Sequence, residues 1–230
     1  MGLMVVGLAL VATAVSSLFA QSMLARSTRL HRPQDGAWAV ALAMFALASA
    51  ALVTGTATGW DAGAFRVFYL FGAILSVPWL ALGTVHLLAS PRVARRVRQA
   101  LFVFSGFAAG VRVSAPVAPV AGTTIPVGKD VLGVLPRVLA AASSGLAAVV
   151  IVVGAVLSAV RYARDRSGRG SLRLAGANAL IALGTLVLSS GGLIQGALGH
   201  DQAFTLSLAA GISVIYAGFL VAASRDGTNR

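Results

Sequence analysis

The chain has 230 residues, 58% of them apolar and only 10% charged, with no cysteine and a formal net charge of +12. These values exclude an ordinary soluble domain, in which about a quarter of the residues carry charge, and the missing cysteine excludes disulfides, thiolate metal ligation and thiol catalysis together. An arginine excess can mark nucleic-acid binding, but here the cations sit mostly between apolar stretches, so a lipid bilayer is the expected partner and nucleic acid is not.

A membrane-spanning helix needs about 20 consecutive apolar residues, and seven stretches qualify: 3–21, 37–57, 66–88, 99–117, 139–160, 174–195 and 203–223. The first lacks a basic leader and is followed by Arg26, Arg29 and Arg32, as expected for a retained span rather than a cleaved signal. The second ends in Gly55-x-x-x-Gly59, a spacing that lets helices approach closely within lipid. The third carries Arg66 one turn inside, then Tyr69, Ser76 and Trp79 on roughly one stripe. Its Pro78 removes the hydrogen bond to the Ile74 carbonyl and should disturb the helix there.

The fourth stretch follows Arg92, Arg95, Arg96 and Arg98, contains Gly106-x-x-x-Gly110, and carries Arg112 toward its far end, where the side chain can snorkel. The loop after it, 115–137, holds Pro116, Pro119, Pro126 and Pro136, which prevent a regular helix over most of its length. It is expected as an extended connection or as a cap over a cavity. The sixth stretch ends in Gly192-x-x-x-Gly196, and the seventh offers Gly211, Ser213, Tyr216 and Gly218.

The segments 21–36, 89–98, 161–173 and 224–230 hold 3, 4, 5 and 2 Lys or Arg residues. The positive-inside rule then places the N-terminus outside and the C-terminus in the cytoplasm of a multi-pass inner-membrane protein. The strong preference for Arg over Lys suggests a high-GC bacterium.

A shift of 140 positions lays the first three stretches over the last three. Arg26-Ser27-x-Arg29 then meets Arg166-Ser167-x-Arg169, Gly36-Ala37-x-Ala39 meets Gly176-Ala177-x-Ala179, Ser49 meets Ser189, and Gly59-x-Asp61 meets Gly199-x-Asp201. After a one-residue slip, Ala64-Phe65 meets Ala203-Phe204 and Gly72 meets Gly211. The expected fold is an all-α integral membrane bundle of seven transmembrane helices, in which two parallel three-helix repeats (1–90 and 138–230) are joined by a linker helix and loop (91–137). Repeat-built membrane proteins tend to place their site between the halves.

That frame puts a ligand site between spans 3 and 7, with Arg66, Tyr69, Ser76, Trp79 and Tyr216 as candidate ligand-binding residues and Asp61 and Asp201 as counter-charges. A plainer alternative is an interfacial Arg66 paired to Asp61 or Asp201. No catalytic residue, metal site or cofactor is expected, because the apolar core holds no carboxylate pair and Ser189-Ser190 has no base at its depth. The expected function is a small-molecule transporter or permease. The alternatives are a non-catalytic accessory subunit or receptor-like protein, self-associating or docking through Gly-rich faces, and a non-covalent pigment- or lipid-binding bundle.

Three spans, a linker span and three further spans, with the N-terminus outside, resemble the group of microbial rhodopsins, sugar-exporting seven-helix transporters and PQ-loop proteins. The resemblance implies topology alone. Span 7 has no lysine to hold retinal, Lys129 being the only lysine, and Pro33-Gln34 sits in a loop rather than in span 1 or 5.

Overall fold

The computed structural model of the protein describes residues 2–120, 122–164, 169–198 and 200–223. The chain folds into α1 (Gly2–Leu30), α2 (Pro33–Thr58), α3 (Ala62–Val67), a π-helical stretch (Phe68–Leu75), α4 (Ser76–Leu88), α5 (Pro91–Ser114), α6 (Gly128–Val131), α7 (Val134–Arg164), α8 (Arg169–Leu198) and α9 (Asp201–Ala223). The consecutive pieces α3, π-helical stretch and α4 make one long third helix. The protein is an all-helical, multi-pass membrane protein by composition. Among the described residues, Gly2–Leu30, Pro33–Thr58, Ala62–Leu88, Val134–Arg161 and Asp201–Val221 are long and apolar enough to cross a bilayer.

The expected fourth span falls short of that measure for a visible reason. In α5, four arginines in the first two turns and Arg112 near the end dilute the apolar stretch. Of α8, the apolar stretch that the described residues cover is Ala179–Gly192. The outer surface agrees with a lipid setting: Leu18, Leu47, Val103 and Leu146 are all exposed, as suits helices facing lipid or other membrane helices.

Local chemistry sets the helix ends. Pro33 and Pro91 occupy first-turn positions, where a missing N–H costs nothing. Asp61 caps α3, its Oδ1 accepting from the Ala64 N–H at 2.9 Å. At the end of α1, His31 takes the left-handed conformation (φ 51°) while its N–H bonds the Ser27 carbonyl, a stop more often made by glycine or asparagine.

The disturbance expected at Pro78 takes the form of the π-helical stretch just before it. The Ile74 carbonyl, which Pro78 cannot serve, accepts from the Ser143 hydroxyl at 3.1 Å, and the neighbouring Ala73 carbonyl accepts from Ser144 at 2.6 Å. Two serines of α7 thus satisfy polar backbone that would otherwise stand in an apolar interior.

The helices form a closed circuit of neighbours: α1 beside α2, α2 beside the third helix, the third helix beside α7, α7 beside α8, α8 beside α9, and α9 back beside α1. Helix α5 stands outside this circuit, against the third helix and the edge of α7. The approach of α8 to α9 depends on missing side chains, since a Cβ on Gly211 would lie 3.0 Å from the Gly184 carbonyl and 2.6 Å from Leu188. Gly72 approaches Ala48 in the same way, a Cβ there lying 3.2 Å from the alanine methyl. The repeat matches Arg166, Ser167 and Gly199 lie outside the described residues.

One end of the bundle carries Arg26, Arg29, Arg32 and Arg92–Arg98; we call it the basic end. At the opposite end, residues 115–133 run as a strap across the helix tips. A single antiparallel bridge, Val117 to Leu132, closes the strap on itself. The Trp60 N–H donates to the Gly122 carbonyl at 2.9 Å, and the Ile125 N–H donates to Asp201 Oδ2 at 2.9 Å. Gly122 needs its glycine, with φ at +79°. Ile125 and Leu132 are buried beneath the strap among Leu52, Trp60, Phe65 and Phe204.

Candidate functional site

The strap end of the third helix gathers arginines and rings with no acid paired to the arginines. Arg112, from the last turns of α5, points between that helix and its neighbours and is only 1% exposed. Its guanidinium carbon lies 5.5 Å from the centre of the Phe65 ring and 5.6 Å from that of Tyr69. None of its three side-chain nitrogens has a hydrogen-bond partner. Arg66, between those two rings in sequence, is half-buried, and its Nε is likewise buried without a partner. Arg66 lies within electrostatic reach of Arg112, and the exposed Arg137 of α7 within reach of Tyr69.

The rings make one continuous wall. Phe65 stacks at 5.8 Å from Tyr69 and 6.0 Å from Trp60, and Phe68 lies 5.4 Å from Trp60. The buried Trp60 Nε1 also lacks a partner. Gly55 makes room for the Trp60 ring, which a Cβ at that position would strike. The strap roofs the wall at Gly128, where a Cβ would stand 3.1 Å from the Tyr69 ring.

The expected counter-charges are engaged elsewhere. Asp61 serves as the α3 cap, and Asp201 accepts from the Ile125 N–H and, through Oδ1, from Gln195 Nε2 at 3.0 Å. Neither forms an ion pair with Arg66. Among the described residues the salt bridge is Arg26 to Asp35 at the basic end, 3.1 Å long, with Asp35 buried and Arg26 also over the Phe219 ring. Sequence reasoning missed that pair, whose partners are nine positions apart across the α1–α2 turn.

The expected ligand-binding residues divide into three places. Arg66 and Tyr69 belong to the arginine–aromatic cluster. Ser76 bonds its own helix at the Gly72 carbonyl, and Trp79 Nε1 donates to Ser105 Oγ at 3.1 Å, tying the third helix to α5. Tyr216 sits toward the basic end, 4.8 Å from Phe19, in a cluster with Leu42 and Ile212. The third helix and α9 do meet at the strap end, where Phe68 and Phe204 are 6.1 Å apart. Two crevices lie away from that contact. An apolar one of about 630 Å³ lies between the end of α5 and the start of α7, lined by Phe107, Gly110 and Leu135. One of about 260 Å³ lies between α2, α4 and α5, with Trp79, His86 and Arg98 in its wall.

Arg112 is the residue the sequence undervalued. Its position near a span end reads as a snorkelling side chain, yet it points inward. Two span-end arginines, at 66 and 112, against so few acids were the signal that could have singled it out. Among the described residues no three ligating side chains gather to hold a metal ion. No protein family, curated protein or solved structure matches the chain.

Proposed function

We propose that the chain is a non-catalytic bacterial inner-membrane protein of seven spans, with its strap end outside, that binds a small molecule and passes it between two three-helix halves. The supporting observation is the order of helix neighbours. Two parallel three-helix units related by a twofold axis along the membrane normal would pair α1–α2 like α7–α8, α2–third helix like α8–α9, and third helix–α7 like α9–α1. These six pairs are the circuit found, with α5 left outside as the linker. The contacts of Gly72 with Ala48 and of Gly211 with Leu188 fall on equivalent positions of the two units and add to the case. Such repeats characteristically enclose the pathway of a transporter.

A second reading, assembly with another membrane protein, draws on α5. Its far face exposes Phe102, Val103 and Val113, and a Cβ on Gly106 or Gly110 would meet nothing within 4 Å. Small residues on an open helix face suit close helix contact in lipid.

The cysteine-free chain allows a direct test. Ser49 in α2 and Thr185 in α8 are buried hydroxyl residues at mid-depth. A passage between the halves predicts that a single Ser49→Cys or Thr185→Cys reacts with a small membrane-impermeant thiol reagent, from either side of the membrane. Failure to react from both sides contradicts passage. A gently extracted particle heavier than one chain, without that reactivity, favours assembly.

A further inference from the structure

The buried polar atoms left unsatisfied in this molecule are lopsided. Arg112 Nε, Nη1 and Nη2, Arg66 Nε and Trp60 Nε1 are all donors, and all lie at the strap end of the third helix or of α5. Among the described residues only Gln195 Oε1 is an acceptor. A buried guanidinium without acceptors is among the most costly arrangements a protein can hold, and ring faces offset only part of that cost because they leave the N–H edge unbonded. A second arginine close by makes matters worse by repulsion. Among the described residues no carboxylate pairs with Arg112 or Arg66: Asp61 and Asp201 are committed as described, Asp35 is paired at the basic end, and Asp130 is exposed to solvent.

The geometry also says what is missing. With Phe65 and Tyr69 packed beside the Arg112 guanidinium, its in-plane N–H edge is the direction left for a partner, and that edge matches two oxygens of one planar or tetrahedral anion. An acceptor-only group placed there would turn the repulsion between Arg112 and Arg66 into shared attraction. Arg66 is half-buried and Arg137 exposed, so the cluster has an edge toward the surface.

We infer that Arg112 and Arg66, framed by Phe65 and Tyr69 beneath the strap, form a binding site for an oxyanion, a carboxylate or phosphate group presented at the strap end. The site deepens the small-molecule reading by giving its ligand a charge, and it rests on that reading only for what happens after binding. The oxyanion can belong to a free solute or to a phospholipid headgroup, which share the same chemistry at the guanidinium edge.

The test uses the full chain in micelles of an uncharged, phosphate-free detergent, followed by thermal unfolding. Sodium acetate and inorganic phosphate are titrated against sodium chloride at matched ionic strength, and a parallel set of micelles contains phosphatidylglycerol. A ligand that binds only the folded state raises Tm progressively once its concentration exceeds Kd. The expected result is such a rise in at least one arm, lost in Arg112→Gln and shifted to about tenfold or more higher concentration in Arg66→Gln. If Arg112→Gln does not fold, the half-buried Arg66→Gln decides alone. A response to the soluble anions assigns the site to a solute, and a response confined to phosphatidylglycerol assigns it to a headgroup. No rise in Tm beyond that of sodium chloride in any arm, or equal responses in wild type and Arg66→Gln, overturns the site. An arginine-dependent response beside unreactive cysteines at 49 and 185 keeps the site and overturns passage, and the reverse pattern overturns the site alone.

Discussion

At the residue scale the molecule turns on where its few carboxylates are used. Asp201 holds the strap through the Ile125 N–H while also accepting from Gln195, so it acts as a clasp between the second half and the loop. Losing a charged acceptor with two buried-side partners costs about 2 kcal/mol. Asp201→Ala is therefore expected to lower Tm and to speed cleavage of residues 115–133 by a protease added at the strap end. An unchanged cleavage rate would show that the strap is held by its bond to Trp60 and its buried Ile125 alone. The capping role of Asp61 was open to reading, since an Asp directly before a helix start is a preferred N-cap. The role of Asp201 was not, because its partner Ile125 is 76 positions away.

At the element scale the third helix is the least regular and the most connected. Pro78 frees the Ile74 carbonyl, and α7 answers with Ser143 and Ser144. The proline and the carbonyl it strands were legible in the sequence, because the rule behind them is local. The answering serines were not, since nothing in an apolar run says which face meets which neighbour. Interhelical hydrogen bonds in membranes are modest, about 1 kcal/mol or less each. Ser143→Ala with Ser144→Ala should thus weaken the docking of α7 on the third helix by about 1–2 kcal/mol, read as a lower midpoint in detergent unfolding. Ser190→Ala, whose hydroxyl bonds within its own helix at Val187, should leave that midpoint nearly unchanged. Equal effects from both changes would mean that the serine contacts to Ala73 and Ile74 carry no special weight.

At the scale of the whole molecule, apolar length and arginine placement made the helices and their connections legible, because a bilayer imposes both. They did not reveal that Trp79 is tied to Ser105 of α5, or that Arg112 points inward against Phe65. Those facts depend on how α5 is rotated, and α5 is the helix whose arginines blur its apolar signal. In the proposed seven-span arrangement α5 crosses the membrane, separates the strap from the basic end and sets the side from which an anion would reach Arg112. The most direct measurement is maleimide labelling of single cysteines at the exposed positions Ser90 and Thr124, which flank α5. In intact cells an impermeant maleimide should label Thr124→Cys, and Ser90→Cys should be labelled only after permeabilisation. Labelling of both from the same side would contradict the seven-span arrangement, and the reverse pattern would contradict a strap end that faces out.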